Sequence, residues 1–144
     1  MRHLNKGRKL NRTASHRKAL LSNLASALIT YKRIVTTEPK AKELRRFADR
    51  LVTYAKKDEL HGRRLILKSI KGKANKKISN ILIHDIAPNY TNRNGGYTRI
   101  IKLDNRKNDN AKRCMIEFVD MKIEDEGDEK SSKKDDKKAE KNDE

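Results

Sequence analysis

Seven cationic side chains, Arg2, Lys6, Arg8, Lys9, Arg12, Arg17 and Lys18, crowd the first 18 residues, MRHLNKGRKLNRTASHRK, with no carboxylate among them. Residues of that type at that density neutralise phosphates. His3 and His16 lie in the same stretch, and the first acidic residue of the chain is Glu38, so everything before it shares one positive field. Only Leu4 and Leu10 are large and apolar in the arm. That is too little to bury a core, so the cost of ordering the backbone must be offset by something other than hydrophobic burial. A polyanion meets that need.

The other reactive side chains form no comparable constellation. His3, His16, His61 and His84 are scattered, and the single cysteine, Cys114, offers no Cys/His spacing for a structural zinc site. His84 and Asp85 are neighbours in a helical pattern and point in different directions, which is poor geometry for an acid/base pair. A magnesium-dependent nuclease would need clustered carboxylates, whereas the acids before residue 122 are dispersed among bases. Cys114 falls in an alternating apolar run and reads as packed rather than nucleophilic. The expectation is a binding protein rather than an enzyme, with no cofactor, no metal and no small-molecule substrate.

Composition bounds the partner. The 144 residues hold 37 Lys and Arg against 20 Asp and Glu, a formal net charge of +17, with a pI near 10.1. Such an excess calls for nucleic acid or an anionic membrane as counter-charge. No window approaches the roughly 20 apolar residues of a membrane span. No apolar stretch follows the basic start as in a signal peptide. A lone cysteine precludes an intramolecular disulfide and suits a reducing cytoplasm. Aromatic residues make up only 4% with no Trp, so phosphate contact and shape, not base stacking, must carry most of the binding.

The charge divides the chain. Residues 122–144 hold seven Lys and ten acids, leaving 30 basic and ten acidic residues before them. That final segment alternates blocks of opposite sign with almost no apolar side chain, the composition of a disordered, solvated tail, with a binding tail as the alternative. The expected organisation is a basic arm over 1–14, one domain over 15–121 and the tail over 122–144.

The elements that must position the cations follow from periodicity. Ser15, a helix cap first and a phosphate contact second, can start a helix to about Tyr31 with Leu21, Leu24, Leu28 and Tyr31 on one stripe. The β-branched run Lys32 to Thr37 reads as a strand. Thr36 or Thr37 caps a second helix with Pro39 in its first turn; it runs to about Lys57 and buries Ala41, Leu44, Ala48, Leu51 and Ala55, flanked by Phe47 and Tyr54. Asp58 can cap a third helix, carrying Leu60, Leu65, Ile66 and Leu67 and ending near Gly72. A fourth, from about Asn75, carries Ile78, Ile81, Leu82 and Ile86 and should stop before Pro88. Beyond the loop Asn89 to Gly96 the period becomes alternating: Tyr97, Arg99, Ile101 and Leu103 face one way, Thr98, Ile100 and Lys102 the other. Lys112 to Val119 is a second such run, joined by a polar hairpin loop. The fold class is therefore two-layer α+β, about four helices packed on a small three-stranded mixed sheet in which Lys32 to Thr37 joins the C-terminal hairpin from far away. No internal repeat is evident.

Four stretches carry a resemblance. MRHLNKGRKLNRTASHRKAL, TTEPKAKELRRFADRL from Thr36, NGGYTRIIKL from Asn94 and NDNAKRCMIEFVD from Asn108 resemble the bacterial large-subunit ribosomal proteins of the L-seventeen family, in the same order and over most of the chain before the tail. Leu60 to Asn89 resembles the family in layout more than in letters. One departure is Asn108, where the family usually has Gly, which bears on the hairpin loop.

The resemblance implies a structural constituent of the large ribosomal subunit, in the cytoplasm, bound to large-subunit ribosomal RNA and to neighbouring proteins near the peptide exit, supporting assembly and translation. It implies no homo-oligomer and no membrane. Three groups of RNA contacts are expected. The first is the arm: Arg2, His3, Lys6, Arg8, Lys9, Arg12, His16, Arg17 and Lys18. The second is the basic face of the second helix: Lys40, Lys42, Arg45, Arg46 and Arg50. The third is the loop: Arg93, Gly95, Gly96, Tyr97 and Arg99, in which Gly95 and Gly96 form either a plain turn or a phosphate cradle and Tyr97 either stacks on a base or packs in the sheet. Without the resemblance, a free-standing DNA-binding or RNA-chaperone protein would carry the same charge pattern. No recognition-helix pattern favours duplex DNA.

Overall fold

The computed structural model describes residues 7–57, 59–72 and 74–121. Arg2, His3 and Lys6, the expected cap Asp58, and the tail after Met121 lie outside the described residues.

Helix α1 (Ala14–Tyr31) begins two residues earlier than its capping pattern suggests. Thr13 takes the extended N-cap conformation, while Ser15 sits inside the first turn with its hydroxyl 3.3 Å from that of Thr13. Because leucines occupy several sides of this helix, periodicity alone does not fix which side is buried. The buried face is Ser22, Ala25, Leu28 and Ile29, whereas Tyr31 is 68% exposed. Ser22 is tolerated there because its hydroxyl accepts the Lys71 N–H at 2.8 Å, pinning the distant end of a later helix. Lys32, left-handed at φ 63°, then turns the chain into strand β1 (Arg33–Thr37).

Helix α2 (Glu38–Ala55) lies at the centre. Its stripe Ala41, Leu44, Ala48, Leu51 and Ala55 is buried as expected, with Val52 added. Leu44, Leu51 and Val52 each stabilise by about 1.5–3 kcal/mol through burial. Thr37 is the N-cap residue and Pro39 occupies the first turn, where no N–H is missed. Helix α3 (Glu59–Ser69) crosses the end of α2 at Gly62, whose absent Cβ would stand 2.3 Å from the Tyr54 carbonyl oxygen. Ile66 is buried, joined just beyond the helix by Ile70, while Leu60 faces solvent.

Helix α4 (Asn75–Asn80) does not end at the proline. It widens into a π-helical turn (Ile81–Ile86), with the Ala87 N–H donating to the Leu82 carbonyl, and then tightens into a 3₁₀ turn (Ala87–Tyr90) that takes Pro88 in its first positions. Proline breaks the α-helical ladder, but at the start of a new turn its missing N–H costs nothing. The wide turn also offsets the drift of a four-residue spacing, so Ile78, Leu82, Ile86 and Tyr90 all stay buried.

Strands β2 (Thr98–Lys102) and β3 (Arg113–Phe118) form the hairpin, and β1 pairs with β3, giving the order β1-β3-β2. The sheet is antiparallel throughout, not mixed: β1 and β2 both run opposite to β3, which lies between them. Cys114, Ile116, Phe118 and Thr98 are buried on the helix-covered side. The hairpin loop places its left-handed residue at Asn110 (φ 52°) and closes with an Arg106–Asp109 ion pair at 2.5 Å, so Asn108 needs no conformation that favours glycine.

Candidate nucleic-acid interface

The described part of the arm rests on the body. The Arg8 guanidinium lies 3.8 Å from the Glu43 carboxylate on α2, and Gly7 lines a groove with Leu21, Arg46, Phe47 and Arg50. A tight turn follows, with Leu10 and Asn11 both left-handed (φ 55° and 50°) and the Arg12 N–H donating to the Lys9 carbonyl at 3.2 Å. It leads the chain to Arg12 and His16, which share a shallow groove with Ala19, Leu20 and Asn23 of α1.

On α2 the residues Lys42, Arg46 and Arg50 recur every four positions, so they form an outward ridge with a rise of about 6 Å per step. Arg46 stands in the walls of two grooves, the one beside the arm and a second between α2 and β2 lined by Glu38, Lys42, Arg45, Asp49, Ile100 and Lys102. Two carboxylates organise the second groove. Glu38 takes the Lys42 ammonium at 2.6 Å, and that hydrogen bond, with the Lys42 charge behind it, holds its carboxyl below the usual range. Asp49 accepts the Thr98 hydroxyl at 3.0 Å; burial pushes its carboxyl up against that bond and the Arg45 charge. No ion pair forms within 4 Å of Lys9, Arg12, Arg17, Lys18, Lys40, Arg45, Arg46 or Arg50 among the described residues. Cations held near one another without internal counter-charge repel until an anion arrives.

The loop group is built differently. Tyr97 is 2% exposed, edge-on to Tyr90 with ring centroids 5.3 Å apart, so it packs in the core and has no face for a base. Arg93 pairs with Asp120 at 2.7 Å, and its carbonyl accepts the Lys56 ammonium at 2.7 Å, which also sits over the Tyr97 ring. Arg99 bonds Glu117 at 2.5 Å, neutralising a carboxylate only 4% exposed in the middle of the sheet. Gly96 is left-handed (φ 61°) and supplies the turn into β2, with open space beside both it and Gly95. Structural ties thus engage Arg93, Tyr97 and Arg99, while the arm and α2 converge at Arg46.

Sequence reasoning missed three residues. Tyr31 is the exposed aromatic, and Lys102 and Lys112 lie close enough to Glu38 to help depress its carboxyl. The alternation that put Lys102 with Thr98 and Ile100 contained the signal for Lys102. Cys114 is packed, its thiol pushed up by burial first and the Glu38 charge next.

Comparison with known proteins adds to this geometry. Residues 20–119 match the family described as Ribosomal protein L17. The chain is 51% identical over 128 residues, 88% of each chain, to the large ribosomal subunit protein bL17 of Agrobacterium fabrum. It is 50% identical over the same length to that of Allorhizobium ampelinum.

Proposed function

Because the chain belongs to the ribosomal protein L17 family, we propose that it is a structural constituent of the large ribosomal subunit in the bacterial cytoplasm, and that it binds large-subunit ribosomal RNA through its arm and the α2 ridge. The observation that carries this reading is the convergence on Arg46 of two cation-lined grooves in which Arg45, Arg46 and Arg50 form no ion pair within 4 Å among the described residues. Neutralising phosphates there releases counterions, which makes the affinity salt-dependent and indifferent to base identity. The role is scaffolding rather than catalysis. The arm over 1–14 anchors in folded RNA, the domain over 15–121 sets where it enters, and the tail over 122–144 is not needed for that contact. Neighbouring proteins near the peptide exit complete the setting, and the whole supports subunit assembly and translation.

Co-sedimentation tests it. The protein is expected in the large-subunit fraction of a cell extract even in high salt. Recovery in the unbound fraction, as for a free-standing DNA-binding or RNA-chaperone protein, would overturn the assignment.

A further inference from the structure

We infer that the groove between α2 and the β2–β3 hairpin seats a run of RNA phosphates, with Lys42, Arg45 and Arg46 on the helix wall and Lys102 and Lys112 on the hairpin wall. This rests on the RNA-binding reading above and extends it to an element which that reading leaves out.

The two walls are tied together. The Glu38 N–H, in the first turn of α2, donates to the Lys112 carbonyl at 3.1 Å, and Asp49 on the same helix accepts the Thr98 hydroxyl of β2. Ile100 lines the groove between them, and Lys102, two residues on along the same side of β2, stands in its wall. The hairpin lysines are therefore held at a set distance from the helix cations.

Charge then decides the ligand. Four cations line the groove with two carboxylates, a fifth, Lys112, lies close enough to act on Glu38, and both carboxylates are engaged by the protein itself, Glu38 by Lys42 and Asp49 by Thr98. Arg45, Arg46, Lys102 and Lys112 have no ion pair within 4 Å among the described residues, so the groove keeps a net positive charge for an outside anion. Lys42 and Arg46 stand one turn apart, a rise of about 6 Å, which suits successive phosphates of one strand better than a single small anion. The lining contains no aromatic ring and no amide side chain, so the groove can follow a backbone but cannot read bases.

The experiment is a salt series of binding to in vitro transcribed large-subunit ribosomal RNA, read by fluorescence anisotropy on the full chain. Lys102→Gln with Lys112→Gln should flatten the plot of log affinity against log salt by about 0.7–0.9 per lost contact, and lower affinity at 0.1 M salt by about five- to eightfold per contact. Lys102→Arg with Lys112→Arg should restore both, and Lys76→Gln with Lys77→Gln on α4 should change neither. An unchanged slope for the hairpin Gln pair overturns the inference. If Arg46→Gln and Arg50→Gln still flatten the slope, the RNA-binding reading survives without the hairpin; if they too have no effect, that reading falls with it. Loss of binding in the charge-retaining Arg pair would equally count against a phosphate contact.

Discussion

Replacing Gly62 with alanine should destabilise the protein, although helix propensity alone predicts the reverse. Alanine is favoured over glycine in a helix interior by about 1 kcal/mol. At this position, however, the new methyl would stand 2.3 Å from the Tyr54 carbonyl oxygen and 3.3 Å from its carbon, both backbone atoms of α2. Ordinary contact requires about 1 Å more. Neither atom belongs to a side chain that could swing away, so α3 must lift off α2, loosening the packing of Ile66 and Ile70, both fully buried. Overpacking of this kind costs about 1–3 kcal/mol. With a backbone obstacle the upper end applies, and after the helix gain the net loss is about 2 kcal/mol. For a folded body of this size that lowers Tm by about 9 °C. A thermal melt followed by circular dichroism measures it. An unchanged or raised Tm would refute the close helix crossing.

Four further outcomes follow from the same geometry. Ser79 is buried with a hydroxyl that has no partner among the described residues, so Ser79→Ala should raise stability by about 1 kcal/mol in urea denaturation. Tyr97→Ala should cost about 3–5 kcal/mol, whereas Tyr31→Ala should stay within about 0.5 kcal/mol, a contrast that the same denaturation series would read. Burial first, then the Asp120 charge, pushes the Tyr90 phenol up to about 12 against the Arg93 charge. Its folded value therefore lies above the unfolded one near 10, so the stability it contributes is complete below about pH 10 and declines as pH rises toward about 12. Tyr90→Phe should remove that alkaline step in a pH series of melts and cost about 1 kcal/mol at neutral pH, because the Val119 carbonyl loses its donor. Arg46→Gln and Arg50→Gln should each flatten the salt dependence of RNA binding by about 0.7–0.9 in slope.

Much of this architecture was readable from periodicity. The α2 stripe, the short β1 and the hairpin all appear where their patterns place them, because each pattern matches the period of its element. The buried face of α1 was not readable, since leucines lie on several sides and the deciding residue, Ser22, is polar and is buried through a hydrogen bond to Lys71, 49 positions away. Pro88 marked the end of α-helical pitch but not of helical chain, because a wide turn absorbs the change before it. In the interface, the cations without internal partners were visible as an excess of charge. Which arginines were already engaged was not: Arg99 is committed to Glu117 only once β2 and β3 align in register, and Tyr97 is buried only because Tyr90 comes round to meet it.

The strand order has a consequence for synthesis. The middle strand of the sheet, β3, is the last of the three strands to be made, and its partner β1 precedes it by about 80 residues. At about 5–20 residues per second, β1 waits roughly 4–16 s for its neighbour. Until β3 is made, β1 has both edges open and β2 has no partner, so the sheet forms only once β3 has been synthesised. The cationic arm, N-terminal to every strand, is made before the body that positions it has closed.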